Sequence, residues 1–108
     1  MSVLYVKNFS VTPGARYRHL GKASGEEFRD DVLVPRLQQD PELIVNLDGV
    51  RGYGSSFLDE AFGGLVRLGI FDITLIYNLV SHLESQNEEW KNEIKAYVDE
   101  AVNSTKEQ

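Results

Sequence analysis

The sequence predicts a small α/β domain, and three observations carry that expectation. β-forming residues fill Val3 to Phe9 and again Leu43 to Asp48, with a helical pattern opening at Ser24 between them. Two strands joined through a helix are parallel neighbours in nearly every case. The stretch from Ile44 to Leu65 then reads as strand, glycine-bearing turn and helix. Finally, Trp90, Ile94, Tyr97, Val98 and Ala101 form an apolar stripe at helical spacing, which predicts a docked C-terminal helix.

At 108 residues the chain is one domain, and a domain of this size buries roughly two-thirds of its unfolded surface without staples. Hydrophobic residues at 42% and charged residues at 26% are ordinary for a globular chain, so disorder is expected only over the polar residues 103–108, with the domain at 1–102. The absence of cysteine excludes disulfides, thiolate zinc sites and a cysteine nucleophile. The first residues carry no basic segment leading into an apolar core, which sets the expectation of a cytoplasmic protein. In the most apolar region, Ala61 to Leu83, the residues Arg67, Asp72, Asn78 and His82 interrupt the roughly 20 apolar residues a membrane span needs, so a core is expected there and no membrane partner. A net charge of −6 opposes nucleic acid, whose binding domains present a basic stripe.

Taken in order, Val3 to Phe9 is a strand covered on both faces. Residues Ser10 to Ala23 form a loop, or a loop with a short edge strand, broken by Pro13-Gly14 and Gly21 and carrying the basic and aromatic run Arg16-Tyr17-Arg18-His19. Ser24-Gly25-Glu26-Glu27 is a capping box opening a helix that turns Phe28, Val32 and Leu33 inward. Pro35 lacks the N–H that would bond to Asp31, so the helix kinks there or ends near Leu37. After the second strand, Phe57, Leu58, Ala61, Phe62, Leu65 and Leu68 fall on one helical stripe; Gly63 and Gly64 in its middle suggest close approach to another element. Two readings stay open beyond Ile70: a strand over Ile73 to Tyr77, favoured by propensity, or a short helix capped by Asp72 followed by a strand over Leu79 to Glu84. Ser85-Gln86-Asn87-Glu88 supplies the cap of the last helix.

The chemistry is sparse. His19 and His82 lack partners at metal-ligand spacing, so no metal and no cofactor is expected. Gly52-Tyr53-Gly54-Ser55-Ser56 has neither the lysine of a Walker loop, nor the third glycine of a dinucleotide fingerprint, nor the flanking glycines of a nucleophile elbow. Asp48, Asp59 and Glu60 surround that turn; turn chemistry and the helix dipole explain them before acid–base catalysis does. Ser56 with Asp59 fits a helix cap, which leaves Ser55 facing solvent just outside the helix.

Pro13 to Tyr17, Ser24 to Arg29 and above all Asn46 to Leu65 make the chain resemble the bacterial STAS-like domains, a family of unassigned function. The resemblance implies a STAS-type α/β domain with about four strands in a mixed or mainly parallel sheet and helices packed on it. It also favours the short helix 72–78 before a strand 79–84. More distantly the strand, turn, Ser-Ser and helix are similar to the anti-sigma factor antagonists. Their phosphorylatable serine lies at that turn, and their partner is a histidine-kinase-like ATPase that binds and phosphorylates them. Ser55 is the position that carries over, with Gly54 where the antagonists have aspartate and Phe57 where they have glycine.

The expectation is therefore a non-enzymatic regulatory or scaffold domain that binds a protein partner through Gly49 to Glu60. Ser55 and Ser56 are its candidate phosphoacceptors, and Gly52, Tyr53, Gly54, Asp59, Arg16 and Arg18 its partner-binding residues. The alternative is a binding module for a small anion or nucleotide using the Arg16 to Arg18 loop, and monomer and homodimer stay open.

Overall fold

A computed structural model describes residues 2–106. Strand β1, Val3–Tyr5, pairs in parallel with β2, Ile44–Asn46, in the register Val3 to Ile44, Leu4 to Val45 and Tyr5 to Asn46. The crossover between them is helical, as the spacing predicts. β1 stops earlier than expected, because the chain coils at once into a single turn, α1 (Val6–Phe9), closed by the Ser10 N–H donating to the Val6 carbonyl.

The crossover helix α2 is continuous and made of three windings: Gly25–Glu27, a π-wound Phe28–Leu33 and Val34–Gln39. Ser24 caps it, its hydroxyl accepting from the Glu27 N–H at 3.0 Å. The helix ends at Gln39, two residues past the Leu37 expected from Pro35. The π winding just before the proline lets the Val34 N–H reach back five residues to Arg29, and the helix continues past the missing donor. Helix α3 follows the glycine turn in the same manner, as Ser55–Leu58, a π-wound Asp59–Gly63 and Gly64–Leu68.

Between Ile70 and Glu84 the helical alternative holds and the strand over Ile73 to Tyr77 does not form. Asp72 caps α4, Ile73–Ser81, through the Thr74 N–H. Because that helix consumes Leu79 to Ser81, the strand expected over 79–84 shrinks to one parallel bridge between Asn46 and Glu84. There the Leu47 N–H donates to the Glu84 carbonyl and the Glu84 N–H to the Val45 carbonyl. Among the described residues the sheet thus has two strands and a bridge, not about four strands; the 10–23 loop makes its backbone bonds within itself, to the glycine turn and to α2 rather than to a sheet edge.

The last helix, α5, runs Glu88–Lys106, with the Asn87 side chain accepting from the Glu89 and Trp90 N–H groups. The tail expected to be disordered from Asn103 is helical through Lys106, where the Thr105 hydroxyl donates back to the Ala101 carbonyl; Glu107 and Gln108 lie outside the described residues. Phe28, Phe57 and Phe62, fully buried, join α2 to α3, with ring centroids 5.8 and 6.4 Å from that of Phe28. Ile94 and Val98 of α5 complete this core. No helix among the described residues is long and apolar enough to cross a membrane.

Candidate functional site

Behind β2 the chain is held from three sides. The Asp48 carboxylate accepts from the Ser85 hydroxyl at 2.7 Å and the Gln86 N–H at 3.0 Å, fastening the turn to the segment before α5. Gly49 adopts a φ of +89° against the stem of Lys7, a conformation that favours glycine. Tyr53 donates its hydroxyl to the Leu47 carbonyl at 2.7 Å, meets Trp90 edge-on at 4.8 Å and lies against Phe57. Burial, helped by the nearby Asp48 charge, pushes its hydroxyl far above the ordinary tyrosine range. Tyr53, an expected partner contact, is a half-buried strut across the turn.

The turn then opens. Gly54 is the N-cap residue of α3, in ordinary extended conformation, and no side chain caps the helix. The cap expected from Ser56 is therefore not made: helix α3 begins at Ser55, so Ser56 already lies in its first turn. Both hydroxyl-bearing residues are exposed. Glycine's freedom is not required at Gly52 or Gly54, where an added Cβ would meet nothing within 4 Å.

The 10–23 loop is fastened to this turn and to α2 by backbone bonds. The Arg51 N–H donates to Val11 at 2.8 Å, Gly25 to Ala15 at 2.9 Å and Glu26 to Arg16 at 3.0 Å, while Gly14 donates to Ala23 at 2.7 Å within the loop. Arg16 donates to Asp59 at 2.8 Å and to Glu60 at 3.3 Å, and the bond to Asp59 in particular raises its pKa further above the ordinary arginine value. Beneath it, Arg29 of α2 pairs with Glu60 of α3, both residues at most 9% exposed and both in the π-wound segments. Arg67 adds bonds to the Asp59 carboxylate at 3.3 Å and carbonyl at 3.0 Å. Arg18 faces away from this network, bonded to Asp31 at 2.7 Å, which holds that carboxyl below its usual range.

Loop and turn meet in an open groove of about 460 Å³, walled by Gly14, Arg16, Tyr17 and Leu20 on one side and Gly54, Ser55 and Ser56 on the other. The arginine loop and the Ser-Ser turn, two separate expectations from the sequence, thus border one groove. Asp59 sits under it in the ion-pair network; Gly52, Tyr53 and Arg18 are not among its lining residues. Leu20, 60% exposed at the rim, was not singled out by sequence, nor was the Arg29–Glu60 pair. The one available signal was an arginine beside Phe28 on the inward face of an amphipathic helix. Asp48 and Ser55 do not converge: Asp48 lines a different hollow, about 810 Å³, at the start of α5. Tyr97 of α5 donates to Glu93 at 2.9 Å, and burial first, then that carboxylate, raises its pKa, with the Ser55 hydroxyl partly offsetting them.

The profile of a family described as a STAS-like domain of unknown function matches residues 24–86. The chain belongs to this STAS-like family. The matched span begins at the capping serine of α2 and ends at the Gln86 amide that Asp48 fastens, so it contains the crossover, the turn and α3. The loop carrying Arg16 and Tyr17, half of the groove in this STAS-like domain, lies outside it. No curated protein and no solved structure matches the chain significantly.

Proposed function

We propose that this STAS-like domain is a non-enzymatic regulatory module that docks a protein partner in the groove between the 10–23 loop and the start of α3. The observation that supports it is the convergence of exposed Ser55 and Ser56, unused as caps, with exposed Tyr17 and Leu20 across a groove whose floor is fixed by ion pairs. Small exposed residues over a rigid floor let another backbone approach closely, and an exposed apolar rim gives it area to bury. Phosphorylation of Ser55 or Ser56, by an ATPase of the kinase type that acts on the anti-sigma factor antagonists, would place about two negative charges in that groove and change its partner. The anion or nucleotide reading has less support, because both arginines it relies on are already engaged by Asp59, Glu60 and Asp31.

A photo-crosslinking residue placed at Ser56 in the protein's own host should give a discrete covalent complex with one protein, and the same residue at exposed Lys95 should not. Equal labelling at both positions, or none at Ser56, contradicts the docking site. Incubating that captured protein and ATP with the domain should add the mass of one phosphoryl group at Ser55 or Ser56; an unchanged mass removes the switch and leaves the docking reading standing.

A further inference from the structure

We infer that the partner segment seated in this groove is acidic with apolar side chains interspersed; this rests on the docking reading above and adds the chemistry of the partner. Residues 1–25 and 49–58, which supply both walls, hold five of the 11 lysines and arginines and none of the 17 aspartates and glutamates. The rest of the chain therefore sets six cations against all 17 acids. Arg16 and Arg18 are compensated by Asp59, Glu60 and Asp31. Lys7, Lys22 and Arg51 are exposed and make no ion pair among the described residues.

Lys22 and Arg51 belong to the two chain segments that wall the groove, and Lys7 lies at the base of the turn. Gly49 packs on the stem of Lys7, Arg51 is fastened to Val11, and the Lys22 carbonyl lies against Gly14 of the groove wall. The 10–23 loop carries the exposed apolar side chains of Val11, Tyr17 and Leu20, the last two lining the groove. An acidic partner is repelled by most of a surface of this sign and attracted to this acid-free stretch, which orients it as well as holding it. A polyphosphate chain, longer than this patch, meets the repulsion of the molecule's net charge of −6, so a protein segment is the better match.

The test is an amide NMR titration of the ¹⁵N-labelled protein with three short peptides that alternate leucine with glutamate, glutamine or lysine, and with oligothymidylate. The glutamate peptide should move the amides of residues 14–22 and 49–57, and its affinity should fall by roughly tenfold when all three cations without an ion pair are replaced, in Lys7→Ala, Lys22→Ala, Arg51→Ala. These side chains are exposed, so the variant should keep the wild-type spectrum elsewhere. Equal shifts from the glutamine and glutamate peptides overturn the acidic preference while leaving the groove a docking site. Groove amides unmoved by any peptide overturn both, and tighter binding of the oligonucleotide on this face overturns the inference in favour of nucleic acid.

Discussion

At the scale of single residues, the site's floor is where energy and geometry meet. Glu60 is held by Arg29 and Arg16 at 8% exposure, and removing one member of a buried pair leaves the other charge desolvated and unpaired. Glu60→Ala should therefore lose about 3–5 kcal/mol in urea unfolding, and Glu60→Gln, which keeps an acceptor for Arg29, distinctly less. A loss under about 1 kcal/mol for the alanine variant would place the pair in the class of surface bridges. Tyr53 offers a pH-dependent readout. Its hydroxyl titrates at 10.0 when unperturbed and well above that in the fold. A group whose folded pKa is raised lends stability that is complete below its unfolded pKa and is lost as pH climbs through the interval between the two. Wild-type stability should thus fall more steeply than that of Tyr53→Phe from about pH 10 upward; parallel profiles would mean that the hydroxyl is not buried against Leu47.

At the scale of elements, the close approach of α2 to α3 sets the groove wall. An added Cβ at Gly25 would stand 2.6 Å from the Phe57 carbonyl oxygen and 3.2 Å from its Cα, and backbone cannot swing aside. Gly25→Ala should destabilise by about 1–3 kcal/mol despite alanine's better helix propensity. Gly52→Ala, in open space and ordinary conformation, should be neutral or stabilising by up to about 1 kcal/mol. Thermal unfolding of the two variants checks both signs at once. Gly63 and Gly64 fit the expectation drawn from their position in mid-helix. Cβ atoms there would meet the Asp59 carboxylate and the Arg29 guanidinium at 2.6 Å. The glycines make room chiefly for the ion-pair network, and at Gly63 the Tyr97 carbonyl of α5 also approaches to 3.4 Å.

At the scale of the molecule, the parallel crossover, the capping box at Ser24, the stripe on α3 from Phe57 to Leu65 and the docked last helix were legible in the sequence because each rests on local periodicity or on one side chain's bond to its own backbone; Leu68, expected on the same buried stripe, is 41% exposed because the helix ends there. The β-rich Val3 to Phe9 misled because strand propensity does not record where the partner strand ends: β2 pairs only through Asn46, and the chain coils from Val6 onward. Pro35 marked the approaching end of its helix, which comes at Gln39, but the π winding that carries the chain past the missing donor is invisible to a fixed helical period. The site was legible in halves. Arg16 and the Ser-Ser turn stood out by composition, but their meeting depends on Asp59 and Glu60 receiving Arg16 from 43 and 44 residues away, which no local signal contains.

The same scale holds a rival surface. Leu68, Ile70, Ile73 and Tyr77 are exposed apolar side chains at the junction of α3 and α4, remote in sequence from the groove. Hydrogen exchange of the domain with and without its crosslinked partner separates the two. The docking account predicts slowed exchange concentrated in residues 14–20 and 52–57 and unchanged exchange over 68–77; protection over 68–77 with the groove amides unaltered would contradict it.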